Sequence, residues 1–174
     1  RAPGIDWDAV ERQAYVLTGN EDRLDDGAQT KAGKVTPSGR ITIIDEKANG
    51  GKAFGVAGVR VSCNSFVRFA HAYTDRDGYY QMPKQFSAKL RYRLIFENVK
   101  GFSIGFNLVL TPASVSTLGK AGPEGVDALI TSSSEGKLFR RCVVNNAAYD
   151  YISRCAYDDM DILPPPGDLR IWIF

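Results

Sequence analysis

Residues 39–106 alternate apolar and polar side chains in short runs, and one strong turn signal interrupts them. Such a period of two places successive side chains on opposite faces of a strand, so the stretch must fold as consecutive β-strands with one buried face. The turn signal is Thr74-Asp75-Arg76-Asp77-Gly78-Tyr79-Tyr80. In it Asp75 and Asp77 can accept bonds from nearby backbone N–H groups, Gly78 suits a positive φ, and Tyr80 returns to the core.

Around that turn the strands fall in order. Residues 41–45 form the first. Residues 48–58, with four glycines, form a connection that has room for one short irregular strand. Val59, Val61 and Cys63 alternate with Arg60 and Ser62 as a half-buried strand. Residues 66–74 are rich in aromatics, and residues 79–82 return from the turn and stop at Pro83. Tyr92, Leu94 and Phe96 alternate with charged neighbours, and Phe102, Ile104 and Phe106 with Ser103 and Gly105. Six or seven short strands at this spacing predict a sandwich.

Helical patterns flank the strands. Asp6 can cap a first helix, with Ile5 and Val10 as a hydrophobic staple, and Gly19 suits its end. Trp7, Val10, Ala14 and Leu17 share its apolar face, and Trp7 and Tyr15 are expected to pack on the sheet. Residues 21–38 read as a polar loop, whose Asp22, Asp25 and Asp26 are expected to be hydrated rather than to hold a cation. Residues 111–125, with Pro112, Pro123 and three glycines, read as a second loop. Ser132 and Glu135 match a capping box before a second helix over residues 138–157, with Leu138, Cys142, Tyr149, Ile152 and Ala156 near one face. Pro164, Pro165 and Pro166 then impose an extended path. The last apolar run, residues 169–174, is expected to pack on the body through Ile171 and Phe174, or through Leu169 and Trp172, and to continue into further chain.

Composition excludes some partners. A net charge of +2 supplies no concentrated basic surface for nucleic acid, and Lys89, Arg91, Arg93, Arg140 and Arg141 read as solvated. No apolar run approaches the roughly 18 residues of a membrane-spanning helix. A hydrophobic share of 44% in 174 residues is enough for one core.

The strand at Gly39-Arg-Ile-Thr-Ile-Ile-Asp45, the Gly-Val-x-Val run at Gly58 to Val61 and the Thr74–Tyr80 turn resemble the carboxypeptidase-regulatory-like domain. The resemblance covers about residues 38–108, and its Thr-Asp-x-x-Gly-x-Tyr turn is its most specific part. It implies a mainly β fold: a prealbumin- or immunoglobulin-like antiparallel sandwich over residues 38–110, with a helix and loop over 1–37 and a loop, helix and final strand over 111–174 packed on it. It also implies a non-catalytic module of a larger secreted, periplasmic or cell-surface bacterial protein, accessory to a hydrolase-like domain further along the same polypeptide.

The chemistry-bearing residues agree with a module without catalytic, metal or cofactor residues. His71 is the single histidine, so no His-Glu-x-x-His zinc site exists. Counting Asp75 and Asp77 as the third and fifth positions of a calcium loop leaves Tyr73 and Lys84 where ligands belong. Cys63, Cys142 and Cys155 are too few for a disulfide framework and are expected as free, mostly buried thiols. A cysteine hydrolase would need His71 beside one of them. The three serines at 132–134 lack nucleophile-elbow glycines. Trp7, Tyr79, Tyr80 and Trp172 could together form an aromatic platform. This keeps a glycan-binding domain, or a peptide-binding one using open strand edges, as the alternative to a purely structural module.

Overall fold

The computed structural model describes residues 6–18, 33–45, 51–105, 113–133, 135–157 and 162–173. Ile5, Gly19, Asp22, Asp25, Asp26, Phe106 and Phe174 lie outside them.

The chain runs α1 (Trp7–Leu17), β1 (Ser38–Ile44), β2 (Phe54–Gly55), β3 (Val59–Asn64), β4 (Phe69–Tyr73), β5 (Tyr79–Gln81), β6 (Leu90–Asn98) and β7 (Ser103–Ile104). It continues through β8 (Val115–Ala121), β9 (Ala128–Thr131), α2 (Gly136–Tyr157) and β10 (Arg170–Ile171). The architecture is mainly β, with two mixed sheets.

The first sheet is centred on β1. The Ile41 N–H bonds Gly78 O at 2.8 Å and its carbonyl accepts from Val56 N at 2.9 Å, so β5 and β2 share one edge of β1 in succession. β9 takes the other edge, parallel to β1, from Ile41↔Ala128 to Ile44↔Thr131. The second sheet is centred on β6. β3 lies on one side and carries β4; β8 and then β7 lie on the other; β10 pairs parallel to β7.

Alternation decides what faces inward. β6 buries Leu90, Tyr92, Leu94 and Phe96, and β3 buries Val59, Val61 and Cys63. Ile41, Ile43, Tyr80 and Ile130 of the first sheet join them in one hydrophobic cluster, which Phe139 and Cys142 of α2 complete. Each large apolar side chain removed from water contributes about 1.5–3 kcal/mol, so this shared core is the main support of the fold.

Several expectations need correction. Residues 111–125 are not all loop: β8 pairs with β6 from Ile95↔Val115 to Leu90↔Ala121. Its side chains are mostly exposed or half-buried, so it carries little apolar pattern and is held by backbone bonds. Gly119, at φ 98°, lies where the pairing register shifts beside Tyr92. The sheets are not purely antiparallel, because β9 and β10 both pair parallel to distant strands. A parallel partner needs a long crossover and leaves no local turn signal.

The helices also differ in detail. Asp6 caps α1, its carboxylate accepting from Ala9 N at 3.3 Å. Yet Val10 and Leu17 are exposed, and Tyr15 packs on Phe66 between β3 and β4, with ring centroids 5.1 Å apart. α2 starts at Gly136, so Ser132 lies in a preceding turn and is no N-cap. The capping-box spacing is present, but the chain leaves β9 there, with Ser132 N bonding Ile44 O at 3.3 Å. At the carboxyl end Leu169, Ile171 and Ile173 pack against the core while Trp172 is 54% exposed. The period of two therefore selects the odd-numbered residues: Ile171 packs inward as expected, Leu169 does so without Trp172, and Phe174 lies outside the described residues.

Candidate functional site

The Thr74–Tyr80 turn is closed by side-chain bonds to its own backbone. The Asp75 carboxylate accepts from the backbone N–H of Asp77 and of Tyr79, both at 2.9 Å. Gly78 has φ 81°. Buried Thr74 donates its hydroxyl to Val56 O at 2.6 Å and accepts from Val59 N at 2.9 Å. The Tyr80 hydroxyl, with its ring in the core, donates to Val126 O at 3.0 Å and accepts from Val126 N at 2.9 Å. All four residues hold backbone segments together. The Asp77 side chain makes no comparable turn bond and lines a surface depression instead.

Sequence reasoning missed a polar cluster under α2. Asn145 is fully buried and donates to Ala57 O at 2.8 Å, while its carbonyl oxygen accepts from Asn98 Nδ2 at 2.9 Å. Asn98 also donates to Ala57 O at 2.9 Å. Asn146 accepts from Ala57 N at 2.9 Å and donates to Gly55 O at 2.7 Å, the pairing that a neighbouring strand would supply. The cluster thus fastens α2 to the 55–57 segment. The signal for it was an Asn three residues after Cys142 and four before Tyr149, inside the apolar stripe of the helix.

His71 and Cys63 do not meet as a cysteine-hydrolase pair would require. His71 lies on the outer face of β4, paired with Ser62 and edge-on to Tyr73, while Cys63 points inward opposite Ala70. All three cysteines are free; Cys63 and Cys142 are buried. Burial pushes Cys63 up to about 11, and burial with the nearby Glu135 charge pushes Cys142 up to about 12. Burial also raises Tyr80 to about 12. These groups are held neutral, and as thiolates or phenolates they would be poor neighbours for the core.

That environment predicts thiol behaviour. Native protein at pH 8 should react with a thiol reagent rapidly at Cys155 alone, and at all three cysteines after denaturation. Stability should stay level up to about pH 9, where unfolded thiols begin to ionise, and fall as pH rises through the folded values near 11 and 12. The sign follows because the unfolded chain releases these protons first. Rapid native modification of Cys63 or Cys142 would contradict the burial.

The aromatic platform does not form. Tyr80 is in the core, Tyr79 is exposed at the turn, and Trp172 directly follows the final strand; the Trp7 side chain lies outside the described residues. Trp172 instead borders a depression of about 290 Å³ with Ile104, Ser114 and Ile173, and with Lys137 and Arg141 of α2. Lys137 and Arg141 are four residues apart and share one helix face. The hollow lies where β7, β10 and the first turns of α2 meet. Gly105, at φ 94°, is part of its wall, and a Cβ there would fall on the Ser114 hydroxyl. A second depression, of about 330 Å³, lies beside the Asp75–Gly78 turn. Its two arginines are matched in number by Asp77 and Asp150: Arg76 lies 3.7 Å from Asp150, while Arg40 Nε donates to the Asp77 backbone carbonyl at 2.8 Å. Among the described residues no three His, Cys, Asp or Glu side chains group to hold a metal ion, and no helix is long and apolar enough to cross a membrane.

Fold and site together describe a mainly β protein of two mixed sheets around one core, with an aromatic and cationic hollow whose Lys137 and Arg141 form no ion pair among the described residues. Among solved structures the chain is similar to a candidate carbohydrate-binding protein from Pseudomonas aeruginosa, at 10% identity and a TM-score of 0.30, over 60% of this chain and 92% of that one. It is also similar to an (S)-allantoin synthase, at 11% identity and a TM-score of 0.31, over 69% of this chain and 50% of that one. Likenesses this distant carry no argument about function. No family model and no curated protein matches the chain.

Proposed function

We propose that this chain is a non-catalytic interaction module, a prealbumin-like β-sandwich of a larger secreted or cell-surface protein, accessory to a hydrolase-like domain of the same polypeptide. The observation that carries the reading is the placement of its reactive side chains. The Asp75 carboxylate closes a turn, Cys142 and Tyr80 are in the core, and His71 and Cys63 are on opposite faces of the sheet. General acid–base or nucleophilic catalysis needs such groups within hydrogen-bond reach of one another and of a substrate. The purified chain should release no product from peptide or polysaccharide substrates above buffer. A hydrolytic signal lost in His71→Ala or Cys142→Ala would overturn the reading.

One observation favours glycan binding as the module's task. The Trp172 hollow combines an exposed aromatic ring with polar side chains in a concave surface, the usual composition of a small-ligand site.

A further inference from the structure

The geometry points to the Trp172 hollow as a binding site for an acidic sugar, a hexuronic acid unit within a polysaccharide. This inference rests on the reading of the chain as a glycan-binding module and names the ligand class.

The site's charge is the first support. Among the described residues neither Lys137 nor Arg141 forms an ion pair, in contrast to Arg60 with Glu97 and Arg76 with Asp150. No acid lies in the first turn of α2, and the nearest along the chain, Glu135, precedes the helix and does not line the hollow. Two cations at the positive end of a helix raise each other's free energy, and an anion placed between them lowers it. An arginine also presents a planar fork that matches a carboxylate with two parallel bonds.

The aromatic ring selects the rest of the ligand. Trp172 is 54% exposed although Leu169, Ile171 and Ile173 around it pack inward. A half-exposed indole offers a flat apolar face beside a polar tip, and the C–H face of a pyranose ring is complementary to it. An acidic peptide would use the two cations but has no need of the indole. The volume, about 290 Å³, is at the small end of ligand pockets, which run from roughly 300 Å³ upward, so it suits a single ring unit at a time.

Binding is tested with the full chain by intrinsic fluorescence and isothermal titration, using oligogalacturonate, a neutral cello-oligosaccharide of equal length and an oligoglutamate peptide. Oligogalacturonate should bind saturably, at least about tenfold more tightly than either control. Arg141→Gln and Trp172→Ala should each weaken it by about tenfold or more, with melting temperature as the check on folding. Lys137→Glu, at an exposed position, is a second variant with the same expected direction. Absence of oligogalacturonate binding overturns the inference, as does equal affinity for oligoglutamate or binding unchanged in Trp172→Ala. A neutral glycan bound independently of Trp172 overturns it too, while leaving the binding-module reading intact. Hydrolysis of a probe by the wild-type chain would instead overturn the non-catalytic reading.

Discussion

Gly78→Val is expected to destabilise the protein by about 3 kcal/mol or more in equilibrium denaturation. Two costs add. At φ 81° a side chain sits in the left-handed region, which costs roughly 1–2 kcal/mol for a residue with a Cβ and more for a branched one. A Cβ would also fall on the Ile41 carbonyl oxygen and come within 2.9 Å of Gly55 Cα. Both neighbours are backbone, so no side chain can turn aside. Moving them would break the bond from Ile41 N to Gly78 O that joins β1 to the turn. Gly119→Ala separates the two costs. Gly119 has φ 98° but nothing within 4 Å of its would-be Cβ, so it should show the backbone cost alone. Gly78→Ala should exceed Gly119→Ala clearly. Equal losses for the two alanine variants, or a loss under about 1 kcal/mol for Gly78→Val, would remove the steric argument.

Asn145→Asp should cost about 3 kcal/mol or more at pH 7. The substitution keeps the size of the side chain, so it opens no cavity. It replaces the amide that donates to Ala57 O with an acceptor, and it places a charge at a fully buried position. Burial raises the pKa of such a carboxyl above its unfolded value of about 3.9. A raised folded value means that the stability is present at low pH and lost as pH rises. The deficit against wild type should therefore shrink toward pH 4 and be complete near neutrality, as thermal melts across pH would record. Asn145→Ala, which loses the bonds and leaves a void, should cost about 2–4 kcal/mol with no such pH dependence. A deficit for Asn145→Asp that stays constant from pH 4 to 7 would exclude the buried-charge account.

The two positions differ in how far a sequence reader can see them. Gly78 announces itself, because Asp75, Gly78 and Tyr80 meet within six residues and the Asp75 bonds that close the turn are local. The alternation in β3 and β6 is legible for the same reason: burial follows from a period of two wherever one face is covered. The strands that were missed have no such local source. β8 has a weak apolar pattern because its side chains are mostly exposed or half-buried, and its evidence is the β6 backbone beside it. β9 is only four residues long and pairs with a strand more than eighty residues earlier. The capping box misled because Ser132 and Glu135 are correctly spaced, but the chain had first to leave the β1 edge.

For the candidate site the division is sharper. Arg141 was readable as a solvated residue, but thirty or more residues separate it and Lys137 from the indole of Trp172. Only the parallel pairing of β10 with β7 brings them to one hollow. Likewise Asn145 in an apolar stripe signals an unmet hydrogen-bonding need, and only the 55–57 backbone opposite it supplies the answer. Residue order alone determined the local conformations, where the deciding interactions span a few bonds. Tertiary structure decided the sheet edges, the polar lock beneath α2 and the hollow, because each depends on which distant backbone lies across from it.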